Sequence, residues 1–150
     1  MKKDIDCSTL FLPSLCLLLG VTPTIYTQCI SCVQDGKLIA GALYENFNRV
    51  SIGAHLYIAE GKLPSKEWYA AIFDYPFNQL GVRKIVGQVF STNVEAQRLD
   101  EHLGFVLEAI IKDHSPNGDL FVYTMTRDQC RVLNSPRWAN ALRLVSKEAA

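Results

Sequence analysis

Three side chains near one short stretch of the sequence could move a proton. Val50 to Ile58 alternates apolar and polar residues, which predicts a strand with His55 and Tyr57 on its polar face. An imidazole exchanges protons near neutral pH, and Glu45 is a third candidate for the same proton. A single histidine on a strand also occurs for structural reasons. The pattern therefore predicts acid–base chemistry on this face and leaves open which group performs it.

The loop after this strand has features of an anion site. It runs through Gly61 and Lys62 to Ser65, a residue type that often caps helices. The free amides and the dipole of a helix N-terminus favour phosphate, and Lys62 adds a positive charge. Glu60 would repel an anion if its carboxylate pointed inward. The alternative interpretation is an ordinary loop between a strand and a helix.

A strand-to-helix corner over residues 83–105 carries the next candidate. An apolar, β-branched run precedes Asn93, whose side chain can cap a helix start, and Gly104 stands where a left-handed residue would end that helix. The helix is expected to bury one face. That face consists of Ala96, Leu99 and Leu103, while Glu95, Arg98, Asp100 and Glu101 are expected in solvent.

The elements around these residues predict one α+β domain. The strand at 50–58, the helix after Ser65 and the strand near 85 form a βαβ unit, so the two strands must be parallel. We expect a mixed, mostly antiparallel sheet flanked by helices. Hairpins are predicted at 25–45 and 105–126, an apolar helix at 10–21, and a tail helix at about 135–148 that packs on the sheet, within a single domain over 1–150 whose core spans about 25–134.

At this corner the sequence resembles the GNAT acetyltransferases. The similarity extends through the last hairpin, which resembles that of the ribosomal-protein-type N-acetyltransferases and of similar phage-encoded sequences. It covers roughly residues 25–134. The residues that carry it are Asn93-x-x-Ala96-x-x-Leu99, Leu103-Gly104-Phe105, Glu108, Lys112, Asp113, Gly118-Asp119 and Met125-Thr126-Arg127-Asp128.

The resemblance implies that the two parallel strands splay apart and admit acetyl-CoA as co-substrate. It places the acetyl group beside the strand of His55, and the CoA diphosphate at the loop before Lys66. The catalytic candidates are His55, Tyr57 and Asn93. The cofactor-binding candidates are Leu56, Tyr57, Ile58, Gly61, Lys62, Ser65, Asn93 and Arg98.

Two positions depart from the family pattern. The loop lacks the Gln/Arg-x-x-Gly-x-Gly/Ala signature that most of these enzymes have at the diphosphate site. Asp100 stands where many of them have a tyrosine that protonates the departing thiolate. An exposed aspartate with a pKa of about 3.9 is already ionised and cannot do so. The thiolate then leaves unaided, Tyr57 assists, or activity has been lost.

Composition and residue spacing argue against several classes of function. Fifteen basic and fifteen acidic residues cancel, and no basic run is interleaved with aromatics, so no nucleic-acid partner is predicted. The spacing of Cys29 and Cys32 sends them to opposite faces of a strand, so we expect no metal site. The apolar run at 10–21 is too short to span a bilayer, and no membrane partner is expected. Reduced thiols indicate the cytoplasm, or the host cytoplasm for a phage-encoded protein.

The leading hypothesis is an acetyl-CoA-dependent N-acetyltransferase that acts on an amine of a protein or a small molecule. The rival hypothesis is a non-catalytic binding module with the same fold, of a phage type that acts on a host partner. The acceptor is not specified by the sequence, and neither is the oligomeric state, for which a homodimer is one option.

Overall fold

A computed structural model describes residues 2–149 as a seven-stranded sheet flanked by five helices. The strand order is β1-β2-β3-β4-β5-β7-β6. The strands are β1 (Lys3–Asp6), β2 (Gln28–Gln34), β3 (Lys37–Glu45), β4 (Ser51–Ile58), β5 (Lys84–Phe90), β6 (Val106–Ser115) and β7 (Gly118–Thr126). The helices are α1 (Leu12–Leu19), α2 (Lys66–Asp74), α3 (Val94–Leu103), α4 (Arg131–Asn134) and α5 (Ala139–Ala149).

The sheet contains one parallel pairing, between β4 and β5, and all its other pairings are antiparallel. The parallel pairing extends only from Ser51 opposite Lys84 to Gly53 opposite Val86. Both strands continue beyond these residues without pairing to each other. The predicted fold class, the parallel pair and the splay between its strands are therefore confirmed.

The sheet separates two cores of unequal size. The larger core lies on the side of α2 and α3 and includes Cys32, Ile52 and Ile85. The smaller core lies under α1 and includes Cys29 and Leu15. The two cysteines thus occupy opposite faces of β2, as their spacing predicts.

Several helix ends and turns lie at the residues where the sequence predicted them. Pro13 lies in the first turn of α1, and Gly20 ends that helix with φ 68°. Asp35 and Gly36 form the β2–β3 turn, both with positive φ. The short N-terminal strand β1 was not predicted, because four residues carry too little periodicity to indicate a strand.

The prediction that the tail helix packs on the sheet is wrong. Helix α5 packs on α2, and Val145 joins the larger core from that side. Ser146 Oγ lies 3.3 Å from Asp74 Oδ1, and the Trp138 ring meets the Tyr69 ring edge-on at 5.6 Å. Helix α2 is therefore covered on two sides, by the sheet and by α5.

None of the helices within residues 2–149 is long and apolar enough to cross a lipid bilayer.

Candidate active site

A cleft opens where β4 and β5 separate. Its volume is about 250 Å³. Two leucines of α1 close one side and the first two turns of α3 close the other. The lining residues are Leu18, Leu19, Ala54, His55, Leu56, Gly87, Gln88, Val89, Phe90, Asn93, Ala96, Leu99, Asp100 and Phe105.

Asn93 positions the corner between β5 and α3. Its side-chain Oδ1 accepts a hydrogen bond from the Ala96 amide at 3.2 Å, which is the predicted N-cap. At the other end, Gly104 adopts φ 112°, and a Cβ there would collide with the carbonyl oxygen of Gln129. Glycine is therefore required at this position by backbone conformation and by close approach. The corner is fixed at both ends.

His55 pairs with Glu45 across the sheet. The distance between His55 Nε2 and Glu45 Oε2 is 3.0 Å, and both side chains are half-buried. His55 lines the cleft, whereas Glu45 lines a neighbouring depression of about 410 Å³. The pair therefore connects the two concave surfaces. The depression is rich in aromatic rings and is lined by Thr24, Ile25, Tyr26, Gln28, Tyr44, Glu45, Asn46, Phe47, Ile52, Tyr75 and Leu80.

The expectation that Asp100 is solvated is wrong. The residue is only 8% exposed and lines the cleft, close to Gly87 and Phe105. Burial, and to a smaller extent the nearby charge of Glu101, raise the pKa of Asp100 from 3.8 to about 7. The carboxyl group can therefore hold a proton near neutral pH. The inference that Asp100 cannot act as an acid depended on its being exposed, so that inference no longer holds.

The cleft brings together only part of the predicted site. His55, Leu56 and Asn93 line it. Tyr57 lies on the same face of β4 as His55, but it packs against the smaller core. Ser65 caps α2 by accepting a hydrogen bond from the Trp68 amide at 3.2 Å. The remaining predicted positions, Ile58, Gly61, Lys62 and Arg98, lie outside the lining of the cleft.

Several cleft residues were not predicted from the sequence, although two of them, Asp100 and Gly87, left a readable signal. Ala96, Asp100 and Leu103 fall at i, i+4 and i+7, so Asp100 belongs to the buried face of α3 by helical periodicity. Gly87 is buried in the middle of β5, where a glycine weakens a strand unless something must approach the backbone closely.

Comparisons with known proteins bear on the fold. No model of a known protein family matches the sequence, and no curated protein sequence matches it. Solved structures do match. The spermidine/spermine N-acetyltransferase SpeG from Vibrio cholerae, in mutant forms, superposes with a TM-score of 0.72 at 17% identity, over 90% of this chain and 99% of that one. This chain has the GNAT acetyltransferase fold.

Two further structures with the GNAT fold cover most of the chain. The ribosomal-protein-S5-alanine acetyltransferase from Vibrio fischeri has a TM-score of 0.65 at 13% identity, over 87% of this chain and 96% of that one. The N-acetyltransferase PseH from Campylobacter jejuni, solved in complex with acetyl coenzyme A, has a TM-score of 0.55 at 20% identity, over 77% of each chain. The fold that contains the β4–β5 cleft is thus similar to that of these structures.

Proposed function

We propose that this protein is an N-acetyltransferase that transfers the acetyl group of acetyl-CoA to an amine. The observation that carries the proposal is the cleft between β4 and β5, in which a histidine, a capped helix start and a buried carboxyl face the same space. Proteins of the same fold that act on spermidine or on a ribosomal protein, and one bound to acetyl-CoA, support the assignment.

The unpaired backbone of β4 suits the extended arm of CoA. Beyond Gly53 the strand is bonded to β3 on one side and has no strand partner on the other. We place the arm along Leu56, Tyr57 and Ile58, where backbone groups on that side can pair with its amides.

The CoA diphosphate is placed at the start of α2. The loop through Gly61 and Lys62 leads into that helix, whose first amides carry a partial positive charge. Ser65 holds the helix start in position by its cap. Arg98 is exposed on α3 and offers a second positive charge on the other side of the splay.

The acceptor amine is placed at the depression lined by Glu45. A primary amine is protonated near neutral pH and must lose a proton before its nitrogen attacks the thioester carbonyl. The Glu45 carboxylate attracts the ammonium group, and His55 at 3.0 Å carries the proton onward. Aromatic rings of Tyr26 and Phe47 provide faces that favour a cation.

The free cysteines suit a reducing cytoplasm, where we place the protein.

We expect acetyl-CoA to raise the melting temperature of the protein by about 5–11 °C. A ligand at roughly 100 times its dissociation constant stabilises the folded state by about 2.7 kcal/mol, and a chain of this size gains about 2–4 °C per kcal/mol. Differential scanning fluorimetry with millimolar acetyl-CoA measures the shift.

Gly87→Val provides a matched control for this binding experiment. A Cβ at Gly87 would lie at ordinary van der Waals distance from its neighbours, 3.8 Å from Ala54 O and 3.9 Å from Asp100 Oδ2, and the valine methyl groups extend from it into the cleft. This variant should fold and lose the shift. If acetyl-CoA and CoA do not change the melting temperature of the wild-type protein, the N-acetyltransferase assignment fails. The remaining hypothesis is then a non-catalytic binding module with this fold.

We expect Asn93→Ala to lower the melting temperature by about 2–4 °C, because a lost N-cap costs about 1 kcal/mol. It should also weaken acetyl-CoA binding, since the carboxamide lines the cleft. Asn93→Asp is the control: it keeps the oxygen that accepts from Ala96 and removes the amide donor. Circular dichroism measures stability and calorimetry measures affinity. Normal affinity in both variants would limit Asn93 to capping.

A further inference from the structure

The depression lined by Glu45 has an aromatic floor that is already in place. Tyr44 and Ile52 are buried at its base. The Tyr44 hydroxyl donates to the carbonyl oxygen of Ile72 at 2.6 Å, and the Tyr44 ring meets the Tyr75 ring edge-on at 5.2 Å. These contacts fix the rings in one arrangement. The floor is therefore a preformed apolar surface of the kind that binds small molecules.

Large apolar side chains stand at the rim of the same depression. In the turn before β2, the Thr24 amide donates to Thr27 Oγ1 at 2.9 Å, and the Thr27 amide donates to the Thr24 carbonyl oxygen at 3.1 Å. Ile25 and Tyr26 form the tip of this turn and are 87% and 80% exposed. Phe47, in the loop after β3, is 48% exposed. Turns usually carry polar residues or glycine, so apolar side chains held at this rim indicate a surface that contacts a ligand.

The charge of the depression comes from one group. Among the described residues that line it, Glu45 is the only charged one. Glu45 Oε1 accepts from Asn46 Nδ2 at 3.2 Å, and Oε2 lies 3.0 Å from His55 Nε2. Each carboxylate oxygen has two lone pairs, so the group can still accept from an ammonium. A second ammonium group in the depression would lose water without gaining a second acid.

We propose that the depression selects an arylalkylamine, in which a short chain joins one primary ammonium group to an aromatic ring. The ammonium group pairs with Glu45, and the ring lies on the aromatic floor between Tyr26 and Phe47. The inference rests on the N-acetyltransferase function proposed above and names the class of its acceptor.

The reaction balances for this acceptor. The N–C bond to the acetyl group forms and the C–S bond of acetyl-CoA breaks. The ammonium group releases two protons, of which the sulfur takes up one and solvent takes up the other. The products are an N-arylalkyl acetamide and the free thiol of CoA.

A polyamine is the alternative acceptor. A second pocket of about 390 Å³ adjoins the depression and shares Gln28 and Tyr75 with it. Its lining includes the Glu148 carboxylate of α5, which a further ammonium group would have to reach. We favour the single ammonium group because Glu148 lies outside the lining of the depression, whereas the aromatic rings lie within it.

The test measures thiol release from acetyl-CoA with phenylethylamine, ethylamine and spermidine as probe acceptors. We expect kcat/KM for phenylethylamine to exceed that for ethylamine by at least about 30-fold and that for spermidine by at least about tenfold. Phe47→Ala should lower kcat/KM for phenylethylamine by about tenfold and leave that for ethylamine within about threefold. Val50→Ala is the matched control, since Val50 is exposed in the same loop but lies outside the lining, and it should change neither value by more than about twofold.

Several results would overturn the acceptor class while leaving the proposed function intact. Ethylamine or spermidine used as well as phenylethylamine is one, and an equal loss for all three amines in Phe47→Ala is another. If acetyl-CoA binds but none of the amines is acetylated, calorimetry in the presence of CoA decides: phenylethylamine that binds no more tightly than ethylamine refutes the class, and tighter binding supports it. Failure of the wild-type protein to bind acetyl-CoA would instead refute the proposed function itself.

Discussion

Asp100→Asn should stabilise the protein at about pH 8 relative to wild type. Burial raises the Asp100 pKa from 3.8 to about 7, which corresponds to about 4 kcal/mol of destabilisation once the carboxyl is ionised. Asparagine is similar in size and carries no charge. At about 2–4 °C per kcal/mol, the difference in melting temperature between variant and wild type should change by roughly 8–16 °C between acidic and basic pH.

The direction of this pH dependence follows from proton binding. Between pH values of about 4 and 7 the folded protein holds the Asp100 proton and the unfolded chain does not, so folded stability falls as pH rises through that window. Above about 7 the loss is complete. Glu95→Gln, on the exposed side of the same helix, is the matched control and should change stability by less than about 1 kcal/mol at either pH.

Thermal denaturation of the wild type, the Asp100→Asn variant and the control at about pH 5 and about pH 8 measures the effect. Wild-type and Asp100→Asn curves that shift equally with pH would show that Asp100 is ionised normally in the folded protein.

Trp68→Ala should cost about 3–5 kcal/mol of folding free energy. The indole is fully buried in the larger core, and its Nε1 donates to the carbonyl oxygen of Ile30 at 3.0 Å, which links α2 to β2. The ring also meets Tyr69 edge-on at 5.0 Å. Removing it leaves a cavity and an unpaired carbonyl group. The melting temperature should therefore fall by roughly 6–20 °C.

Trp68→Phe separates packing from hydrogen bonding. Phenylalanine keeps most of the apolar volume but cannot donate to Ile30, so its loss should be the smaller one, about 1–3 kcal/mol. Urea denaturation followed by circular dichroism gives both values. Equal losses in the two variants, or a loss below about 1 kcal/mol for Trp68→Ala, would contradict the packing described for α2.

The corner from β5 to α3 was predictable because its signals are local. Asn93 caps the helix, Gly104 ends it, and each is recognised from its own neighbours in the sequence. The same holds for the end of α1 at Gly20. The face of β4 that carries His55 was also predictable, because a strand alternates strictly.

The burial of Asp100 and the packing of α5 were predicted incorrectly from the sequence, because both depend on other parts of the chain. Asp100 is buried close to Gly87 and Phe105, and charged residues are rarely buried without a partner. The i+4 spacing of Asp100 from Ala96 is compatible with the buried face of α3, but Asp100 was expected in solvent. The apolar face of α5 predicts that this helix is buried, but it does not identify the element that covers it. In the structure that element is α2.

Three residue pairs between β4 and β5 join the two halves of the sheet, which are β1–β4 and β5–β7. Every other strand pairing within residues 2–149 lies within β1–β4 or within β5–β7. The halves are therefore joined mainly by α2 and by this narrow pairing. A molecule bound in the cleft would contact both halves of the sheet next to these three residue pairs. Its binding should therefore stabilise the contact between the halves, so that the two halves unfold together.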